Sequence, residues 1–326
     1  VAGVSPATVS RALSSPEIVE PATRERVIRV AEHLGYRPNR AARGLITGRT
    51  GNFGLILPDL ANPFFPLVVK GIQQAAREAE YQVFVVDTDE DVSAELGLVH
   101  DLAKQVDGVV LCSPRLKGAD LQEAASLVPV VLLNRLYGSM PAVVVDNLDG
   151  IRQIVLHLTG LGHRRIGFIA GPRTSWSNRQ RLTALKTVCQ DGATELVQLG
   201  SFAPTFAGGL DAVDGVVISG VTAVIGYNDL VALGAISGLR RRGVSVPGDL
   251  SVVGIDDIPM SAIVEPPLTS LSLPKEVAGR AAVELLLELL DDRPDGVSRI
   301  RELPTELMVR QTTGPAKKSG RRRTDA

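Results

Sequence analysis

Nine short runs of Val, Ile, Leu and other apolar residues recur through the chain from about residue 54 to 257, each separated from the next by an amphipathic stretch of helical period. They are GLILP (54–58), QVFVVDTD (82–89), GVVLCS (108–113), VVLLN (130–134), AVVVDN (142–147), RIGFIAG (165–171), ELVQLG (195–200), AVIGYND (223–229) and SVVGIDD (251–257). Strands that are apolar at successive positions, rather than at alternate ones, are buried on both faces; alternation with helices makes their sheets parallel. Nine strands in this span are many for one sheet, so two similar lobes with a cleft between them are expected. Most runs end in a polar residue: Asp59, Asp87, Ser113, Asn134, Asp146, Asn228 and Asp256. Open parallel sheets take ligands beyond the carboxyl ends of their strands, so these residues are candidates to line the cleft. Helices are expected after Pro63, Asn147, Ser177 and Asp229, with a long one from about Lys275 to Leu290; residues 201–222 give the weakest helical pattern.

The first fifty residues follow another grammar. In VAGVSPATVSRAL, Ser5 can cap a helix that starts at Pro6, where a missing N–H costs nothing. Ala2, Gly3 and Val4 read as the end of one helix and a tight turn, which makes helix-turn-helix grammar. Taken alone, the stretch reads equally as a surface helix behind a loop. A second helix, led by Pro21, carries Val27, Ile28, Val30, Ala31 and Leu34 at helical spacing, and Gly35 ends it. Asn39 can cap a further helix of about two turns through Leu45, too short to be stable in water without a partner.

Charge divides along the same line. Residues 1–50 hold eight Arg against four Glu, and the tail 315–326 holds five Lys or Arg against one Asp, while the whole chain of 326 residues has a net charge of -1. A basic head on an acidic body suits a polyanionic partner. The tail reads more readily as a solvated end than as a binding element. No run of 18 uncharged apolar residues and no leader is visible, so no membrane partner is expected. Cys112 and Cys189, both in apolar context, suit buried thiols of a reducing compartment.

Enzymatic groupings are missing. There is no GxxxxGK[ST], no GxGxxG after a strand and no GxSxG around a serine; the four histidines (His33, His100, His157 and His163) lack ligand spacing, so no metal and no cofactor are expected. Strand-end carboxylates beside an Arg are what a sugar-hydroxyl site needs: bidentate acceptors and a fork of donors.

With these parts in order, the chain resembles the LacI/GalR family of bacterial transcriptional regulators over nearly its full length. The resemblance rests on AGVSPATVSRAL, LGYRPNRAARGL, GLILPDLANPFF, HLTGLGHRRIGFIAGP, AVIGYNDLVALGA, VPGDLSVVGIDD with PPLTSL, and LPTELMVRQTTG. It implies an α/β fold with an N-terminal helix-turn-helix unit and a two-lobed body like that of periplasmic binding proteins. The implied domains are 1–37 (helix-turn-helix, with most of its first helix missing), 38–51 (hinge helix and linker), 52–314 (effector binding and dimerisation) and 315–326 (basic tail). Within the body, the N-lobe would take about 52–146 plus 275–300 and the C-lobe about 147–274 plus 301–314.

The resemblance further implies a cytoplasmic homodimer that binds a pseudo-palindromic operator and responds to a small sugar-like effector. PATVSRAL becomes the recognition helix, with Pro6, Ala7 and Arg11 at base-reading positions and Thr8, Ser10 and Thr23 near phosphates. Asn39 would cap the hinge helix and Leu45 would wedge into the minor groove. Asn134, Arg181, Asn228 and Asp256 match effector-contacting positions, with Asp59, Phe64 and Trp176 as cleft-wall residues. Trp176 could stack on a sugar ring or serve the core. Asn134 stands where many members carry Asp, and Ala184 replaces a common Gly, which puts the usual sugar preference in doubt. The rival expectation, a sugar-binding protein of a transport system, accounts for the body but not for residues 1–50.

Overall fold

A computed structural model describes residues 1–14, 16–35, 48–192, 194–291 and 299–317. The expected hinge contacts Asn39 and Leu45, and most of the basic tail, lie outside these residues. The chain divides into two compact units, Val1–Gly51 and Asn52–Ala326.

In the first unit, α1 (Pro6–Ser14) and α2 (Pro21–His33) flank a single 3-10 turn at Pro16–Ile18. Ser5 caps α1 as its position demands: its Oγ accepts the Thr8 N–H at 3.2 Å. Gly3, with φ +66, makes the turn before it. Among the described residues of this unit, Ala12 and Val27 are the buried apolar ones; Leu34, expected on the packed face, is exposed.

The second unit contains two six-stranded sheets among its described residues. All nine apolar runs form strands. The first sheet runs β2-β1-β3-β4-β5-β11, from β1 (Asn52–Leu57), β2 (Gln82–Asp87), β3 (Gly108–Cys112), β4 (Val130–Leu133), β5 (Ala142–Val145) and β11 (Ile300–Leu303). The second repeats the pattern as β7-β6-β8-β9-β10-β12, from β6 (Arg165–Ala170), β7 (Glu195–Ser201), β8 (Ala223–Gly226), β9 (Ser251–Asp256), β10 (Thr269–Ser272) and β12 (Glu306–Met308). Every pairing is parallel except β10 with β12. β11 pairs with β5, so residues 301–303 belong to the first lobe and the expected boundary after residue 300 moves past Leu303.

Helices cover both faces of each sheet. The first lobe carries α3 (Phe64–Glu78), α4 (Glu95–Leu102), α5 (Gly118–Leu127) and α12 (Lys275–Leu290). The second carries α6 (Asn147–Gly160), α7 (Trp176–Asp191), α8 (Phe206–Asp211), α9 (Val213–Ile218), α10 (Asp229–Arg241) and α11 (Pro259–Ile263). The poorly patterned stretch 201–222 becomes two short helices meeting at Ala212, which ends one and begins the other.

The chain passes between the lobes three times, and each passage joins carboxyl edges of the sheets. β5 ends at Val145 and, after Asp146 alone, α6 begins; because α6 returns to the start of β6, its own start lies at the carboxyl edge of the second sheet. β10 ends at Ser272 and α12 starts at Lys275; β11 ends at Leu303 and antiparallel β12 starts at Glu306. Short connections at the same edges force the two carboxyl edges to face each other across a crevice.

The first lobe's helix pair α3 and α12 meets backbone to backbone. A Cβ at Gly71 would lie 2.1 Å from the Glu276 carbonyl oxygen, and one at Gly279 would lie 2.4 Å from that of Val68. Overpacking of this kind costs about 1–3 kcal/mol. Gly71→Ala is expected to lower unfolding free energy by that amount in urea, whereas Gly97→Ala, in open space on α4, should be neutral or slightly stabilising.

Candidate ligand cleft and nucleic-acid interface

The crevice is built where apolar strands stop. Beyond β3, β4 and β9 stand Ser113, Asn134 and Asp257, with φ +50, +58 and +53, and Asp256 at the end of β9 has φ +118. Non-glycine residues rarely hold such conformations, and they concentrate where a fold aims a side chain for use. The Asn134 main-chain N–H donates to Val143 O at 2.8 Å, and its amide nitrogen lies 3.4 Å from Ser113 Oγ.

From the second lobe, Arg181 projects out of α7, whose start is fixed by Ser175 capping the Asn178 N–H. Its guanidinium donates to Tyr227 O, lies over the Tyr227 ring with 5.0 Å to the centroid, and faces Asp256 Oδ1 at 3.6 Å. Both members of this pair are buried. At 3.6 Å the pair is an ion pair without a tight hydrogen bond, so the Asp256 carboxylate keeps acceptor capacity for another donor.

Burial pushes the Asp256 carboxyl up to about 7; Arg181 and Lys275 oppose the shift and Asp229 adds to it. Lys275, at the start of α12, donates its ammonium to the Asp257 and Leu273 carbonyls, both at 3.1 Å, and to the Asp256 carbonyl. A first-lobe helix thereby grips the end of the second lobe's β9. Arg310 holds Asp257 from the other side at 2.7 Å.

Asp229 is fully buried and its carboxyl is also raised by burial, to about 6. It accepts from the Ile258 N–H at 2.8 Å and from the hydroxyls of Ser261 and Ser270. It anchors the loop after Asp256 from behind.

The expected cleft residues divide. Asn134, Arg181 and Asp256 stand at the facing edges. Asp59, partly exposed after β1, accepts the Ala61 N–H at 2.7 Å, and Trp176, the first residue of α7, is half-buried. Phe64 is instead a core residue, its ring edge-on to Phe65 at 5.2 Å, because the apolar face of α3 begins with it. Asn228 caps α10: its amide oxygen accepts from Val231 and its nitrogen donates to Pro204 O, both at 2.9 Å, so both ends of the amide are engaged by the fold. Ser113 is among the strand-end candidates, whereas Arg115, Arg135, Tyr227, Asp229 and Lys275 escaped the sequence reading as site residues. Only Asp229, after Asn228 in a strand-end YND, carried a local signal.

In the first unit, Pro6, Ala7, Ser10 and Arg11 are exposed on α1, and Thr8 is partly exposed with its hydroxyl 2.9 Å from that of Ser5. Thr23 stands partly exposed in the first turn of α2, its N–H bonded to Glu20 O at 3.0 Å. A helix start that presents small residues and one Arg can approach a base edge closely. Among the described residues no helix is long and apolar enough to cross a membrane, and no group of His, Cys, Asp and Glu could hold a metal ion.

Two family models match this chain: the lacI family of bacterial regulatory proteins over residues 1–39, and the periplasmic binding protein-like domain over residues 155–313. The HTH-type transcriptional repressor CytR of Escherichia coli (strain K12) is 34% identical over 322 residues, covering 96% of this chain and 94% of the relative. The lac repressor dimer bound to operator and the anti-inducer ONPF superposes with TM-score 0.86 at 30% identity, covering 96% of each chain. A CelR–cellobiose complex superposes with TM-score 0.73 at 32% identity, covering 95% of this chain and 97% of that one. The chain belongs to the lacI family: it is a transcriptional regulator with a helix-turn-helix unit and a periplasmic-binding-protein-like body. A transport protein would share the body alone, and the match over residues 1–39 excludes that rival.

The raised Asp256 carboxyl has a measurable consequence. Between about pH 4 and pH 7 the unfolded chain has lost this proton and the folded chain still holds it. Its contribution to stability therefore falls as pH rises through that window and levels off above about 7. Asp256→Asn removes the contribution, so the variant should gain stability relative to the parent between pH 5 and pH 8 in urea unfolding. A constant difference would mean that Asp256 is ionised throughout.

Proposed function

We propose that this regulator binds a pseudo-palindromic operator as a homodimer in the cytoplasm, that a sugar or sugar derivative held in the crevice alters that affinity, and that it catalyses no reaction. In this reading residues 1–37 read DNA, 38–51 form the hinge and 52–314 bind effector and dimerise. The lobes divide at Asp146, at Leu273–Pro274 and after Leu303. The tail, 315–326, has no assigned role.

One observation carries the reading: a buried arginine on α7 and a buried carboxylate at the end of β9, Arg181 and Asp256, stand 3.6 Å apart in the second lobe. A guanidinium fork and a carboxylate with spare acceptor capacity are complementary to ring hydroxyls that both donate and accept. Asn134 offers an amide from the opposite lobe, Asp59 a further acceptor, and the half-buried Trp176 an apolar face for a sugar ring. The relatives lend support: CelR is seen with cellobiose, and the lac repressor with operator and ONPF.

On the DNA side Arg11 is assigned to a guanine edge, Pro6 and Ala7 to close apolar or shape contacts, and Thr8, Ser10 and Thr23 to phosphates. An effector that binds one lobe orientation better shifts the dimer toward it, and operator affinity follows by linkage.

Operator binding by the full chain, measured by fluorescence anisotropy on a selected site and its single-base variants, tests this. Arg11→Ala is expected to cost about 1–3 kcal/mol at one base position and little at the others. Uniform weakening on all sequences would make Arg11 a phosphate contact. Arg181→Ala should leave operator affinity intact and abolish its response to any sugar that shifts the parent. A response that survives would place the effector elsewhere.

A further inference from the structure

Two guanidiniums at the carboxyl edge of the first sheet are buried with N–H donors left over. Arg115, just beyond β3, and Arg135, just beyond β4, are only 6% and 7% exposed. Arg115 pairs through Nη2 with Glu90 at 2.7 Å, but its Nε and Nη1 have no protein acceptor. Arg135 donates through Nη1 to Pro114 O at 2.8 Å, and its Nε has no protein acceptor. Glu95 is buried beside them, yet its oxygens are taken by the main-chain N–H groups of Arg115 and Leu116 at 2.9–3.0 Å.

The second lobe adds a third guanidinium. Arg179, in the second turn of α7, is exposed and donates to the carbonyls of Arg173 and Thr174 at 3.2 and 3.0 Å. Burial first, and then repulsion from Arg179, lower the affinity of the Arg135 guanidinium for its proton. Glu95 opposes that shift, and the hydrogen-bond acceptors of the two guanidiniums are main-chain carbonyls: Pro114 for Arg135, Arg173 and Thr174 for Arg179. Buried donors are normally satisfied, and a buried charge is normally paired.

We infer that Arg135 and Arg179 receive an anionic group on the effector, a phosphate monoester or a carboxylate carried by a sugar, with Arg115 behind Arg135. The inference rests on the reading that the effector binds in the crevice. A guanidinium fork matches two oxygens of either anion, and the donors of Arg115 and Arg135 that lack a protein acceptor are what such a group would engage from the first lobe, with Arg179 offering a fork from the second. Asn134, adjacent to Arg135, brings an amide where a carboxylate would repel the same group. Arg181 and Asp256 remain for the sugar hydroxyls.

The test is thermal stability and calorimetric binding of the full chain with inorganic phosphate against chloride at equal ionic strength, and with glucose, glucose 6-phosphate and glucuronate. Phosphate should stabilise the parent beyond chloride. Arg135→Gln and Arg179→Gln should each weaken phosphate binding about tenfold or more, the fold-change for one lost charge-assisted hydrogen bond. Arg179 is exposed, so its variant keeps the fold even if Arg135→Gln does not. Whichever of glucose 6-phosphate and glucuronate exceeds glucose identifies the anion. The inference is overturned if phosphate stabilises no more than chloride, or if its binding survives both substitutions. A neutral sugar that releases operator as well as its anionic derivatives would overturn the anion site and leave the crevice reading standing. Phosphate binding lost in both variants, with no effect of any crevice ligand on operator affinity, would do the reverse.

Discussion

A strand with Val, Ile or Leu at nearly every position has no room for a polar side chain until it stops. β3, β4, β5 and β8 are buried at every residue, and β9 at all six of its own. All their chemistry is therefore displaced to the carboxyl ends, where Ser113, Asn134 and Asp256 take left-handed backbone angles. Three short crossovers then turn the two carboxyl edges toward each other. The site and the placing of the crossovers follow from that one constraint on where polarity can go.

Those crossovers are tied by polar groups from both sides. Lys275 holds three carbonyls around the end of β9, and Gln153 on α6 donates to Thr305 O at 3.0 Å and accepts the Leu307 N–H at 2.9 Å. Asp146 caps α6 by accepting the Asp149 N–H, and its own main-chain N–H donates to Leu303 O. A ligand that pulls on Arg181 and Asp256 thus acts on atoms bonded to the same loop that Lys275 grips. That contact gives the crevice a mechanical route into the angle between the lobes, with no need for movement inside either sheet.

The partly exposed edge strands β2 and β7 were legible from their apolar residues alone. The other seven of the nine apolar runs were legible because burial on both faces leaves an uninterrupted apolar signature. β10, β11 and β12 escaped it for a physical reason. They mix polar with apolar positions, unlike the equally short β4, β5 and β8. Thr269 and Ser270 on β10 are fully buried only because Thr312 and Asp229 satisfy them. Such burial depends on a partner far along the chain and leaves no local periodicity. The lobe boundary slipped past residue 300 for the same reason: β11 is an edge strand whose alternate residues are exposed. Of the candidate site, Arg181 and Asp256 were legible through motif order, whereas Arg115 and Arg135 look like ordinary surface arginines until the fold encloses them. Phe64 and Asn228 show the converse, since the residue types that suit a ligand also suit a core and a helix cap.

The central claim is that crevice and DNA-reading unit form one thermodynamic system. Reciprocal titration tests it most directly: operator affinity with and without saturating ligand, and ligand affinity with and without saturating operator. Linkage requires the two ratios to be equal and different from one. That is the result expected here. Two ratios of one, for a ligand whose binding is lost in Arg181→Ala, would show that the crevice binds without governing DNA and would contradict the account.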